Sequence, residues 1–154
     1  MDIRRAKRAD EVYLNELYAQ LEKDAVFYQP QHFVMSEKGA RICDELFDSE
    51  RQAVFAAEDN GEVVGFIHVK LLASKDIPCL RPEINVYIQD MVVSEKCRNK
   101  GIGTQLMETA KEYGRKNGAS FVRTQVFPMN EDGLRFYRRN GFAETMITIE
   151  CPLD

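Results

Sequence analysis

The stretch from Ile84 to Ala110 constrains the fold most, because an apolar strand runs into a basic, glycine-spaced turn that opens directly into a helix. The turn reads Arg98-Asn99-Lys100-Gly101-Ile102-Gly103. From Ile102 the apolar residues recur at Leu106, Met107, Ala110 and Tyr113, the spacing of a helix that begins near Gly103. The first N–H groups of a helix lack intrahelical partners and carry partial positive charge. A turn whose glycines let the backbone fold tightly there makes a phosphate site, to which Arg98 and Lys100 add full charges.

Spacing separates the phosphate loops that could be written this way. A Walker A loop needs Lys-Ser/Thr directly after its last glycine, whereas Gly103 is followed by Thr104-Gln105. A dinucleotide fingerprint needs a third Gly or Ala where Leu106 stands, and belongs to an opening βαβ unit rather than to a position two thirds along the chain. The remaining pattern, Arg/Gln-x-x-Gly-x-Gly/Ala after a strand ending in Val-x, resembles the pyrophosphate arm of the GNAT superfamily of acyl-CoA N-acyltransferases. Taken alone, the same six residues also fit an ordinary strand-to-helix turn with solvated basic side chains.

A chain of 154 residues with 44% hydrophobic content is long enough for one core, so one domain over 1–154 is expected. The net charge of -4 and pI near 5.3 argue against nucleic acid, which demands a basic stripe, and suit a cationic or amine partner. The N-terminus MDIRRAKRADEV has no apolar leader, and no stretch reaches the roughly 20 apolar residues that span a bilayer. A cytoplasmic protein without a membrane partner is the expectation. Cys43, Cys79, Cys97 and Cys151 form no C-x-x-C pair, and only His32 and His68 could assist them, so reduced thiols and no metal are expected.

Ile3 to Ala6 reads as a first strand, and Asp10 is placed to cap a helix with Val12 or Leu14, Leu17, Tyr18 and Leu21 inward. Phe27 to Phe33 breaks the period with Pro30 and carries aromatic residues that suit packing or a substrate wall. A second helix is expected from Ser36, with Ala40, Cys43, Leu46 and Phe47 inward. Gln52–Glu58 and Glu62–Leu72 alternate as strands around Asp59-Asn60-Gly61, the signal of a tight antiparallel hairpin. After the loop Ser74–Pro82 and the central strand, Asn117-Gly118 stops the long helix and Ser120–Phe127 reads as a strand, so a parallel crossover is implied. Asn130 can cap a short helix Glu131–Arg139, Asn140-Gly141 ends it, and Phe142–Glu150 alternates as a last strand.

That order of elements is the order of the GNAT fold, and Asn130 to Phe142 resembles the superfamily segment N-x-x-(small)-x-x-F-Y-x-x-x-G-F. Two motifs at the right separation extend the resemblance over nearly the whole chain. It implies a mixed α/β fold with a mostly antiparallel sheet splayed at a pantetheine slot, helices on both faces, and acetyl-CoA as cosubstrate. Three departures matter. Glu95 and Cys97 stand where many members have Pro and an aromatic residue, Gly133 replaces Ala or Ser, and Gln89 stands where some members carry a glutamate base.

Acyl transfer to an amine needs a neutral amine, a polarised carbonyl and a protonated leaving thiolate. By the resemblance, the backbone of Met91, Val92 and Val93 pairs with pantetheine as an extra strand would. Arg98, Asn99, Lys100, Gly101, Ile102, Gly103 and Thr104 hold the pyrophosphate, and Asn130 bonds the pantetheine arm while also serving as helix cap. Tyr137 is the implied general acid, since a phenol stays protonated at neutral pH. For the base, ideal alternation puts Val86, Ile88, Asp90 and Val92 on one strand face, which makes Asp90 a carboxylate on an apolar face unless a bulge turns it. Glu83, Tyr87 and a water chain are the alternatives, and a purely structural Asp90 remains open. The expected activity is acetylation of a small-molecule or peptide amine. A non-catalytic acyl-CoA-binding module is the rival, and homodimerisation is left open.

Overall fold

A computed structural model describes all residues from Met1 to Asp154. One five-stranded sheet runs in the order β1 (Asp2–Arg5), β2 (Gln52–Asp59), β3 (Glu62–Ala73), β4 (Ile84–Val93) and β5 (Phe121–Arg123). The first four strands pair antiparallel and β5 joins β4 in parallel, so the architecture is the mixed, mostly antiparallel sheet expected. The β2–β3 hairpin turns through Asn60 and Gly61 at φ 52° and 81°, the left-handed pair that an Asn-Gly turn supplies.

Helices cover both faces. On one face α1 (Glu11–Tyr28) lays Leu14, Leu17 and Tyr18 onto Val54, Ala56, Phe66 and Val92, joined by Leu46 from the single helical turn α2 (Glu45–Asp48). Val12 lies outside this stripe and is exposed. On the other face α3 (Ile102–Lys116) buries Ile102, Leu106, Met107, Ala110 and Tyr113 against Ile67, Val69, Leu71, Val86 and Ile88. The central strands are therefore apolar on both sides, which is why their sequences run nearly continuously hydrophobic. α3 stops at Asn117, with Gly118 at φ 75°, and α4 (Glu131–Arg139) stops before Gly141 at φ 92°.

Four expectations change. The helix predicted from Ser36 is only the turn Glu45–Asp48; residues 29–44 are isolated turns, and Cys43 is exposed. β5 ends at Arg123 instead of Phe127, because Thr124 Oγ1 donates to the Ile88 carbonyl at 3.0 Å in place of a ladder bond. The segment predicted as a last strand, Phe142–Glu150, forms no ladder and leaves Met146, Ile147 and Ile149 exposed. Asp10 occupies the α1 cap position, yet its carboxylate turns back to accept from Lys7 N–H at 2.7 Å and from both Arg4 nitrogens at 2.8 and 2.9 Å. That pairing with Arg4 holds its carboxyl below the usual range.

The seam between α3 and β4 depends on Gly114, where an added Cβ would meet Val86 Cγ2 at 2.8 Å. Gly114→Ala should therefore cost about 1–3 kcal/mol by overpacking, in spite of the gain of up to about 1 kcal/mol in helix propensity. Urea denaturation checks this, and a stabilised variant would contradict it.

Candidate functional site

The site is organised by a bulge in β4. Val69 pairs with Ile88 and His68 with Asp90, so Gln89 is an extra residue without a partner on β3. Before the bulge Val86 and Ile88 face α3; after it Asp90 and Val92 face α1, while Met91 and Val93 pack on the α3 side. The single face predicted for Val86, Ile88, Asp90 and Val92 is thus split in two, since one inserted residue reverses the alternation.

Beyond the pair Tyr87–Arg123 the neighbours β4 and β5 part. Thr124 closes the near end of the gap on the Ile88 carbonyl, and Tyr87 Oη donates to Gln125 Oε1 across it at 3.2 Å. The edge of β4 from Gln89 to Val93 then has no strand beside it on that side. At its far end the Val93 carbonyl accepts from Gln20 Nε2 at 3.0 Å and from Arg98 Nε at 3.2 Å. Gln20 Oε1 in turn accepts the Glu95 N–H at 3.3 Å, which ties α1 to the start of the basic turn.

The turn itself is built for open amides. Asn99 and Gly101 adopt φ of 62° and 78°, and no side chain caps α3 at Gly101. The earliest bond onto the helix is Gln105 N–H to Gly101 C=O at 3.1 Å, and no acceptor takes the N–H groups of Asn99 to Thr104. This row of free donors at a helix N-terminus, with Arg98 and Lys100 beside it, fits a pyrophosphate. Glu95 and Cys97, the departures before the turn, form a short 3-10 turn in which Cys97 packs against the α3 core. The two glycines differ in role. Gly101 has open space around it, whereas a Cβ on Gly103 would meet Phe136 at 3.1 Å and Met91 at 3.6 Å.

α4 brings Asn130 and Tyr137 to the same region. Asn130 Oδ1 accepts the Gly133 N–H at 2.9 Å, and a Cβ on Gly133 would meet the Asn130 amide at 2.5 Å, so the glycine is what this tight cap requires. Tyr137 lies edge-on between Phe136 and Phe142, with ring centroids 5.3 and 5.2 Å away. Burial pushes its phenol up to about 12, so it stays a proton donor.

Asp90 is buried, but not among apolar groups alone. Both its oxygens accept from Arg41 Nη2 at 2.8 Å, and His68 Nδ1 lies 3.6 Å from Oδ2. Of the other candidate bases, Glu83 pairs with Arg123 at 3.3 Å, about 20 Å along the strand from Asp90. Tyr87 is raised by burial and by Asp90, which keeps it protonated. Sequence reasoning missed Arg41, Glu22, His68, Gln20 and Thr124. They lie on four separate segments, and the bulge that aligns them has no sequence signature here beyond Gln89 itself. The aromatic segment packs in part, as Tyr28 and Phe33 each contact Phe127 at 5.6 Å, while Phe27 is exposed.

Residues 14–142 match the model of the acetyltransferase (GNAT) family. The chain is 28% identical over 145 residues to the uncharacterized N-acetyltransferase YhfO of Bacillus subtilis, covering 94% of this chain and 91% of that one. It is 30% identical over 96 residues to a streptothricin acetyltransferase of Streptomyces lavendulae, covering 62% of this chain and 47% of the relative. Among solved structures, a tetramutant of the BH1408 protein from Bacillus halodurans superposes with TM-score 0.91 at 25% identity over 99% of this chain and 100% of the other. An aminoglycoside N-acetyltransferase in complex with CoA gives TM-score 0.74 at 18% identity over 99% of both chains, a likeness of fold.

The contact of Gly103 with Phe136 changes what a substitution there reports. Gly103→Val should lower stability by about 1–3 kcal/mol through overpacking against the ring. Combined with Phe136→Leu it should lose much less, a coupling that a double-mutant cycle in urea measures. Additive costs would show that the two residues do not share this contact.

Proposed function

The chain belongs to the GNAT acetyltransferase family, and from that premise we propose that it transfers the acetyl group of acetyl-CoA to a primary amine by direct attack in a ternary complex. The observation that carries this reading is the parting of β4 from β5 after Tyr87, which leaves a strand edge lying between the open amides of Asn99–Thr104 and the Tyr137 phenol. Bound acetyl-CoA supplies an activated acyl group as its thioester. The open edge at Met91–Val93 binds the amides of the pantetheine arm as a neighbouring strand would, and a main-chain N–H there polarises the thioester carbonyl. Amides of the turn, with Arg98, Asn99, Lys100 and Thr104, hold the pyrophosphate, and the Asn130 amide nitrogen remains free to donate to the arm.

Tyr137 protonates the departing sulfur. Its phenol donates when a developing thiolate comes within reach. Asp90 sits on the opposite sheet face, beside the same strand edge, and takes the proton of the incoming amine. A small polar amine is the acceptor class favoured by relatives and neighbours named for streptothricin and aminoglycosides. Free cysteines suit a reducing, cytoplasmic setting, and no helix is long and apolar enough to cross a membrane. Self-association is supported by the unpaired outer side of β5 and by the exposed apolar segment 142–150.

Calorimetric titration with acetyl-CoA and steady-state turnover with an amine panel test the reading together. Tyr137→Phe should bind acetyl-CoA as the wild type does and lose roughly 10²-fold in kcat. Wild-type binding without turnover of any amine would favour the acyl-CoA-binding module instead, and a fully active Tyr137→Phe would remove the phenol from the reaction. Sedimentation equilibrium should show dimers for the full chain and monomers once residues 145–154 are removed. Monomers in both would leave the β5 edge and this segment unrelated to self-association.

A further inference from the structure

The guanidinium of Arg41 fills a small cation box next to the thioester edge. One nitrogen, Nη2, donates to both oxygens of Asp90 at 2.8 Å, and the other, Nη1, lies 3.7 Å from Glu22 Oε2. The central carbon stands 4.7 Å from the centroid of the Tyr18 ring. Two carboxylates and an aromatic face at these distances recognise a positive charge whatever molecule carries it. Arg41 belongs to residues 29–44, which form only isolated turns, and Ser36 ties this segment to Glu22 by bonds of 2.7 and 2.8 Å. The occupant is thus on a weakly organised segment, while the box is on β4 and α1.

A second observation points to an occupant that comes and goes. His68 is 5% exposed and its Nδ1 has no hydrogen-bond partner, although it points at Asp90 Oδ2 from 3.6 Å. Its other nitrogen, Nε2, contacts Gln52 Oε1 at 2.6 Å and carries the proton for that bond. A lone pair facing a buried carboxylate is costly to keep when the carboxylate has no other counter-charge. With Arg41 in place Asp90 is compensated; with the box empty, the space between Nδ1 and Oδ2 is where one proton would settle. The other charged and titratable groups around the pair are Glu22 and Tyr18 on α1, Tyr87 on β4 and Cys43 near Tyr18, and Gln52 on β2 is uncharged.

We propose that this box is the seat of the acceptor's ammonium group, that Arg41 is its internal occupant, and that a primary alkylammonium displaces it. The proposal rests on the amine acetylation described above. In the step it implies, one N–H bond of the bound ammonium breaks and its proton passes to Asp90, with His68 Nδ1 as the reserve acceptor. The freed nitrogen pair forms the new C–N bond, the C–S bond breaks and the sulfur takes the Tyr137 proton, while the acylated nitrogen loses its second N–H proton to water and water reprotonates the phenol, leaving a neutral amide and a thiol. The preferred acceptors are unbranched primary alkylamines, which can reach past Tyr18 as the arginine side chain does.

The chain has only two histidines, so both imidazoles can be followed by proton NMR of the full-length protein, with His32→Gln assigning them. In Arg41→Ala the His68 midpoint should rise by about one pH unit or more, as expected for an imidazole left alone with a carboxylate, while His32 stays put. Butylammonium chloride should bind Arg41→Ala at least about tenfold more tightly than wild type, restore the His68 midpoint, and lose this advantage in the Arg41→Ala, Asp90→Asn double variant. Should Arg41→Ala fold poorly, Arg41→Gln keeps the length and some donors and should behave alike. An unmoved His68, or butylammonium binding no tighter than in wild type, would overturn the proposal. Acetyl-CoA affinity, measured separately, should be the same in all variants. Its absence from the wild type would sink acetyl transfer without touching the NMR result.

Discussion

The extra residue in β4 is the constraint on which the rest depends. Were Gln89 paired on β3 in regular alternation, Asp90 and Val92 would face α3, and a carboxylate would enter the apolar layer of Ile88, Leu106 and Met107. With the bulge, the strand serves both cores in turn: Val86 and Ile88 pack beneath α3, and Val92 packs beneath α1 with Phe66 and Leu14. A bulge also bends its strand and increases the local twist, and here β5 leaves β4 just before it, after Tyr87. Thr124 marks where the ladder is given up, since a side-chain hydroxyl takes over the Ile88 carbonyl that a longer β5 would have bonded. The facing of the buried carboxylate and the packing of Val92 in the α1 core both follow from that bulge.

The parts legible in the sequence are those decided by local chemistry. The α3 stripe, the Asn60-Gly61 hairpin, the Gly118 and Gly141 stops and the Asn130 cap each rest on periodicity or on a φ that few residues tolerate, and each is present. What failed was decided by tertiary partners. Ser36 to Leu46 has helical spacing, but Arg41 and Ser36 are committed to Asp90 and Glu22, contacts that pull the segment away from a continuous helix. Phe142 to Glu150 alternates correctly, yet a strand exists only beside another strand, and this segment pairs with none in the chain. The site was half legible for the same reason. The turn and α4 announce themselves, whereas Arg41, Glu22 and His68 become a cluster only through long-range pairing.

The glycines of the phosphate turn show how one pattern can carry two causes. Gly101 answers to the backbone, with a left-handed φ and open surroundings. Gly103 answers to packing, because Phe136 from α4 lies where its side chain would be. That contact brings α4 against the first turn of α3, and so fixes Tyr137, the next residue, relative to the amides of the turn. A motif read as a phosphate cradle is therefore also the joint that positions Tyr137, the proposed proton donor.

In the proposed reaction the two proton transfers of amine acetylation oppose each other, and the groups assigned to them lie on opposite faces of the sheet. Tyr137 belongs to the α3 layer, where burial between Phe136 and Phe142 keeps its proton on the phenol. Asp90 belongs to the α1 layer, where an arginine holds it. Placed on opposite faces and joined only through the strand edge between them, each can act on its own end of the reacting group. The bulge at Gln89 decides which layer each residue joins, turning Asp90 to the α1 face beside His68 and Met91 to the α3 face.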